Sequence, residues 1–440
     1  MSENKILKME VDYSAEVENW ISEIKTNENI NEALDKLYVC EKLTRLASDA
    51  ISTGKLLECG IEICADRNEW KKLNEIMVLF TKKRSQLKQA VTKMVQKACE
   101  YIDKAPSEET KLSFINSIRD VTEGKIYVEV ERARVSKRLA DIKEGSGDVE
   151  GAAAILQDLQ VETYGSMDKK EKIEFILEQM RLCLAKKDAI RTQIISKKIS
   201  SKSFIDENFE PLKLKFYKLM IDLDLSENNY LNISKHYFEI YQSKSIQLSE
   251  ESRLLNLKNV MVFLLLAPFD HEQNDLLYRH KKSCEKDLEK LSTIKEIIIL
   301  FCTKEVMLWR AFCEKYEQEL KRDPIFMNEQ GAARWDQLQN RIVEHNIRIM
   351  AEYYTQIRLT KMASMLDIGE KTLEKFLSDL VVNKTIEAKV DRLLGIAHFT
   401  KPKDATEIVN DWSYNINQLL SLIKKTNHLI NKEKMVHHVA

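Results

Sequence analysis

The chain runs to 440 residues, enough for about three ordinary domains or for one extended array of repeats. It holds ten glycines and five prolines, about 3 per cent together against roughly 12 per cent in average proteins, so turns are few and helix dominates. Charged residues make up 32% of it yet sum to a net charge of −1, which suits many solvated helix faces and excludes a surface built to hold a polyanion.

The N-terminus is polar and acidic and lacks the basic and apolar regions of a signal peptide. From Asp12 to about Asp323 the chain reads as successive helices joined by polar turns. Asn68 precedes the apolar residues Trp70, Leu73 and Met77 of one helix. Val128, Val135, Leu139 and Ile142 make the stripe of another, and this register outweighs the short strand-like alternation of Ile126 to Val130. Gly145, Ser146 and Gly147 break that helix. Asp148 can cap the next, whose buried face is Val149, Ala152, Ala153, Leu156 and Leu159.

The pair then recurs. Ile173, Ile176, Leu177, Met180 and Leu184 lead through a turn at Lys187 and Asp188 to Ile194, Ile195 and Ile199. Leu212, Phe216, Leu219 and Leu223 lead through Asn228 and Asn229 to Ile233, Tyr237, Ile240 and Tyr241. Turns at Asp148, Asp188 and Asn228 stand about 40 residues apart, and Asn68 lies two periods upstream of Asp148. One helix pair per period predicts an α-solenoid of tetratricopeptide-like pairs, each burying its apolar face only by stacking on its neighbours. Lys104 to Glu123 fits this period poorly. The longest apolar run, Val260 to Pro268, is far too short to span a bilayer, so no membrane is expected as a partner.

The pattern changes at Trp335. Leu338, Ile342, Ile349 and Tyr353 mark an amphipathic helix over Trp335 to Tyr354, with His345 and Arg348 off its main stripe. Ile357 and Leu359 suggest a short strand. Thr360 can cap a short helix with Met362, Ala363 and Leu366 inward, and Asp367 to Gly369 turn into a third helix. That helix carries Leu373, Phe376, Leu377, Leu380 and Val381, and Asn383 stands where a left-handed cap is wanted. Two strands are expected after it. Thr385 to Val390 alternates Ile386, Ala388 and Val390 against Glu387 and Lys389, and Ile396 to Phe399 follows a turn at Gly395. The order is that of a winged helix. On its third helix Lys371 and Lys375 are outnumbered by Glu370, Glu374 and Asp379, which argues for docking to protein and against nucleic acid as a partner.

After a linker at Lys401 to Lys403, Asp404 or Thr406 can start a final helix. Trp412, Ile416, Leu419, Ile423, Thr426 and Ile430 form a heptad seam on it, which requires another helix against it. Folding back on the winged helix is one solution. Docking with the terminal helices of partner subunits is favoured, because the linker frees the helix and Trp412 is a good anchor. The resulting division is a helical solenoid over 1–330, a winged helix over 331–400 and a bundling helix over 401–440.

Constellations that carry chemistry are thin. Gly145, Gly147 and Gly151 have the wrong spacing for a phosphate loop, with no strand before them and no Lys-Ser/Thr after, and read as an inter-helix turn. The eight cysteines, Cys40, Cys59, Cys64, Cys99, Cys183, Cys284, Cys302 and Cys313, form no C-x-x-C pair and read as reduced, buried thiols. No H-x-H or H-E-x-x-H occurs, and His437 beside His438 reads as a solvated tail. Glu129 and Glu131 lie near Arg132 and Arg134 as ordinary helix-surface pairs. Catalytic, metal and cofactor-binding residues are expected to be absent, and with them any enzymatic activity.

A helical array running into a C-terminal winged helix resembles the PCI family, named for the proteasome lid, the signalosome and translation initiation factor three. Four segments carry a narrower likeness to the non-ATPase subunits of the proteasome lid. They are Gly124 to Met167, Lys172 to Met180 (KIEFILEQM), Glu344 to Leu359 (EHNIRIMAEYYTQIRL) and Asp379 to Arg392 (DLVVNKTIEAKVDR). Gly369 and Asn383 depart from the family's usual Ser or Thr and Gly, in ways the backbone tolerates. The resemblance implies a non-catalytic scaffold, cytoplasmic and nuclear, that supports ubiquitin-dependent degradation. Its partners would be other PCI subunits of the lid, the lid's deubiquitinase subunit, and the proteolytic core or ATPase ring. A signalosome scaffold is the alternative, and a nucleic-acid-binding PCI protein a further one. In the family the winged helices associate through their small sheets and the terminal helices gather into a bundle. Carried onto this chain, Ile386, Ala388, Val390 and Ile396 would mark the sheet interface, and Trp412, Ile416, Leu419, Ile423 and Ile430 the bundle interface.

Overall fold

The recurring turn explains the first half of the molecule. In the computed structural model, which describes residues 13–27, 29–200, 204, 206–327, 330–399 and 405–437, Ser48, Asn68, Gly147, Lys187 and Asn228 all have φ between 57° and 88°. Each ends a helix in the left-handed conformation. The next residue's N–H reaches back to a carbonyl of the last turn: Asp49 to Thr44 at 3.1 Å, Glu69 to Cys64 at 2.9 Å, Asp148 to Lys143 at 2.9 Å and Asp188 to Cys183 at 3.0 Å. Three of these residues then open the following helix. The carboxylate of Asp49 accepts from Ile51 and Ser52, that of Asp148 from Gly151, and that of Asp188 from Arg191.

One residue thus closes one helix with its backbone N–H and starts the next with its side chain, so the connection needs only three residues. The period is kept, with a shift of frame against the sequence expectation: Asn68 and Asn228 are left-handed residues, whereas Asp148 and Asp188 are the caps that follow them. The segment expected to fit poorly contains a regular helix, Glu108–Thr122. Ser107 opens it with a capping box in which Thr110 replaces the usual Glu or Gln, which hid the signal.

The chain divides between Asn228 and Asn229 into two compact units. In the first, a core from Ile24 to Ile155 packs Leu37, Leu57, Phe80, Met94 and Phe114, with Trp70 set edge-on to Phe114 at 5.4 Å. Successive layers are also clamped by charge. Arg134 grips Glu171 at 2.7 and 2.9 Å, and Arg181 grips Glu144 at 2.6 and 2.7 Å, in both cases holding that carboxylate below its ordinary range.

In the second unit the apolar run lies in the helix Glu250–Leu266, whose residues from Val260 to Leu266 are all buried. No helix among the described residues is long and apolar enough to cross a membrane. The helix Gly331–Tyr353 runs from this array into the winged helix and belongs to both. Val343, Ile347 and Met350 meet Leu373, Leu377 and Leu380 of the helix Glu370–Val382 and Ile357, Ala397 and Phe399 of the sheet region. His345 and Arg348, expected outside the stripe, face the array: His345 is 6% exposed, and the Arg348 guanidinium lies over the Phe269 ring. A second buried face is needed because this helix has neighbours on two sides.

The sheet has three short antiparallel strands, β1 (Gln356–Arg358), β2 (Lys389–Asp391) and β3 (Ile396–His398), in the order β1-β3-β2. Three local expectations are corrected. The helix Leu359–Leu366 starts directly from β1, with no side-chain cap from Thr360. The left-handed residue after Val382 is Lys384 (φ 56°), whereas Asn383 keeps φ −74°. Ile386 precedes the strand, because the N–H groups of Thr385 and Ile386 still bond to the Leu380 carbonyl at 2.9 and 3.4 Å. Only from Lys389 is the backbone free to pair with β3.

Candidate assembly interface

Two surfaces of the second unit offer unspent binding capacity, the small sheet and the terminal helix. Within the sheet, Ile396 is flanked by Arg358 on one side and Asp391 on the other, so its backbone is used internally. Ile386 is buried in the winged-helix core, and Ala388 and Val390 are half-buried against it. Ile386, Ala388 and Val390 therefore support the sheet from within, whereas Ile396, next to the buried Ala397, stands on the opposite face beside Asp391. What remains open is the outer edge of β2 and of β1, three residues each, a length that permits pairing by a partner strand without a long sticky edge.

A neighbouring feature was missed by sequence reasoning. The Asp391 carboxylate accepts from the N–H groups of Leu393 and Leu394 at 3.0 and 3.2 Å, and Gly395 with φ 63° completes the turn. This leaves Leu393 98% and Leu394 69% exposed at the tip of the wing. Two leucines in a turn were the available signal.

The terminal helix, Ala405–Val436, has 32 residues, about 48 Å of helix, and buries none of its side chains. Trp412, Ile416, Leu419, Ile423 and Ile430 are all exposed, Trp412 at 67%. The fold-back solution is not adopted. Beside the seam runs a second stripe that the sequence reading passed over, Ile408, Leu422, Leu429 and Val436, also exposed. An apolar face this wide exceeds the narrow seam of a two-stranded coil and matches contact with more than one helix.

The remaining chemistry is consistent with surfaces that bind protein. Glu374 on the Glu370–Val382 helix pairs with Arg392 of the wing, so Lys371 and Lys375 share their face with Asp379 and no basic stripe forms. Among the described residues no group of His, Cys, Asp or Glu is gathered as a metal site would require. All eight cysteines are free, and burial pushes the thiols of Cys59, Cys64 and Cys99 up to about 11, away from nucleophilic use at neutral pH. His437 pairs with Glu433 at 3.4 Å, and His438 lies outside the described residues.

Comparison with known proteins fits this division of labour. Residues 32–249 match the family described as PSMD12/CSN4, N-terminal, residues 313–401 match the PCI domain, and residues 406–438 match the 26S proteasome regulatory subunit RPN5 C-terminal domain. The chain is 40% identical to 26S proteasome regulatory subunit RPN5 of Saccharomyces cerevisiae over 99% of both proteins. It is 39% identical to 26S proteasome non-ATPase regulatory subunit 12 of Dictyostelium discoideum, over 95% of this chain and 92% of that one. COP9 signalosome complex subunit 4 of Drosophila melanogaster is more distant, 22% identical over 75% of this chain and 77% of its own.

Proposed function

The chain belongs to the 26S proteasome regulatory subunit RPN5 family, also named non-ATPase regulatory subunit 12, and we propose that it serves as a non-catalytic structural subunit of the regulatory particle's lid. In this reading residues 1–330 form the helical arm, 331–400 the winged helix and 401–440 the bundling helix. It supports ubiquitin-dependent protein degradation in cytoplasm and nucleus by holding other subunits in place. Its partners are the other PCI subunits of the lid, the lid's deubiquitinase subunit, and the core or ATPase ring.

The observation that carries the reading is the terminal helix. Thirty-two residues with a wide apolar face and no buried side chain are stable in water only when other helices cover them. The exposed seam, Trp412, Ile416, Leu419, Ile423 and Ile430, supplies the bundle contact. The sheet contact is made by the open edge of β2 at Lys389–Asp391, with Ile386, Ala388 and Val390 shaping it from beneath and Ile396 on the other face of the sheet.

Replacing Trp412, Ile416 and Ile423 together by alanine tests it. The chain should fold normally and fail to enter the lid, and normal incorporation would refute the bundle mechanism. A second reading, a scaffold of the signalosome, is favoured by the similarity to signalosome subunit 4 and by an N-terminal family that spans both. Mass spectrometry of the tagged endogenous assembly separates the two: proteasome ATPases co-purify in the first, signalosome subunits in the second.

A further inference from the structure

A cavity of about 440 Å3 lies where the helix Gly331–Tyr353 passes between the helical array and the wing. Its volume is that of a small-molecule site. Most inter-helix gaps in a scaffold are apolar. This one is lined by Arg348, Arg341, Glu344, His345, Lys304 and Phe269.

Three nitrogens at this cavity have no hydrogen-bond partner among the described residues. The Nε atoms of Arg341 and Arg348 and the Nε2 of His345 are buried without a hydrogen bond. The Arg348 guanidinium sits 3.3 Å from the centre of the Phe269 ring, which uses its face and leaves the planar N–H fork free. The carboxylates nearby are taken. Glu344 accepts from Arg341 at 2.5 Å, Glu352 pairs with Lys304, and Glu387 has a partner of its own. Arg348 is thus a largely desolvated cation with no hydrogen-bonded counter-ion, and burial lowers its pKa to about 10.

His345 adds a second requirement. It is 94% buried, being 6% exposed, and lies beside the Thr303 backbone. Burial lowers its pKa to about 4, so the ring is neutral at pH 7. In a neutral imidazole one nitrogen accepts, and Nε2, buried without a hydrogen bond among the described residues, is the one left for a ligand's donor. The cavity therefore presents a cationic fork and a free acceptor three residues apart on one helix.

We propose that this cavity binds a small hydroxylated anion, whose phosphate or carboxylate is taken by Arg348 with Arg341 and whose hydroxyl donates to His345. Such a ligand would tie together the array, the Gly331–Tyr353 helix and the wing. The inference goes beyond the scaffold reading and does not depend on it.

Calorimetry and thermal melting of the purified full chain test it with glycerol 3-phosphate, malate and succinate, and with glycerol as the uncharged control. Saturable binding at millimolar concentration or below is expected from glycerol 3-phosphate, malate or both, and which one binds tells phosphate from carboxylate. Arg348→Met, whose apolar stem still covers Phe269, should weaken that binding by about tenfold or more while melting without ligand is kept. A second variant, His345→Phe, should abolish the preference for malate over succinate, or of glycerol 3-phosphate over inorganic phosphate, without abolishing anion binding. Binding by none of the anions, equal binding by glycerol, or binding unchanged in Arg348→Met would overturn the proposal, while the lid-incorporation result would stand unaffected.

Discussion

Asn346 holds both backbone polar groups of Met307. The Met307 N–H donates to Asn346 Oδ1 at 2.8 Å, and Asn346 Nδ2 donates to the Met307 carbonyl at 2.7 Å, in a site where Asn346 is 3% exposed. A side-chain amide here imitates a strand partner, and it joins the chain before the helix Trp309–Leu320 to the helix that enters the winged helix. Asn346→Leu should cost about 2–3 kcal/mol, because it leaves a buried donor and acceptor unpaired. Asn346→Asp keeps the acceptor and loses the donor. Both should lower the urea midpoint, Leu more than Asp.

The two faces of the C-terminal region should respond oppositely to substitution. Leu373 is fully buried in the winged-helix core, and Leu373→Ala should destabilise the isolated chain by about 2–5 kcal/mol. Leu419→Glu on the terminal helix should change it by less than about 0.5 kcal/mol, since that side chain is 58% exposed. Incorporation into the assembly, scored on native gels, should nevertheless fail for Leu419→Glu. Thermal melting of the two variants separates folding from docking.

The inter-helix turns make a further prediction. Asp188 both ends the helix Lys169–Ala185 and caps the helix Ala189–Ser196 through Arg191 N–H at 3.1 Å. Asp188→Ala should cost about 1 kcal/mol by loss of the cap, and Asp188→Asn should cost little. Denaturant melts of the two variants give the comparison directly.

Acid should destabilise the second unit before the carboxylate pairs of the first are protonated. Burial holds both His280 and His345 at about 4, with the His280 ring tilted against Phe238 at 4.1 Å between centres. In the unfolded chain their pKa is about 6.5, so the unfolded state binds more protons between those values. Stability is undiminished above about 6.5 and falls as pH drops toward 4, by up to about 1.4 kcal/mol per pH unit for each imidazole. Urea midpoints at neutral and mildly acidic pH should show this slope, and His280→Phe should reduce it. Glu144 and Glu171, held low by arginine, add their loss only below the ordinary carboxylate range.

Local chemistry was legible in the sequence, and dependence on distant chain was not. Asn68, Asp148, Asp188 and Asn228 announced the period because left-handed turns and caps favour those residue types wherever they occur. Lys187 carries the same φ as Asn228 with no such signature, since neighbouring hydrogen bonds impose it. The heptad of the terminal helix was visible because it needs only its own residues. His345 and Arg348 lie off the main stripe as expected, and their burial had no local signal because the array that covers them is remote in sequence. Ile386 was misplaced in a strand because its alternation with Ala388 and Val390 is real, while a bond back to Leu380 delays the strand. The cavity had no signature at all: its lining is drawn from five separated stretches of chain.

The bare apolar side of the terminal helix also sets the terms on which a cell can make this protein. A copy synthesised in excess of its companions carries a long greasy handle, open to chaperones, to degradation machinery and to other surplus copies. On the proposed docking of this helix, covering that handle and joining the complex are one event. On that proposal, solubility would tie abundance to stoichiometry.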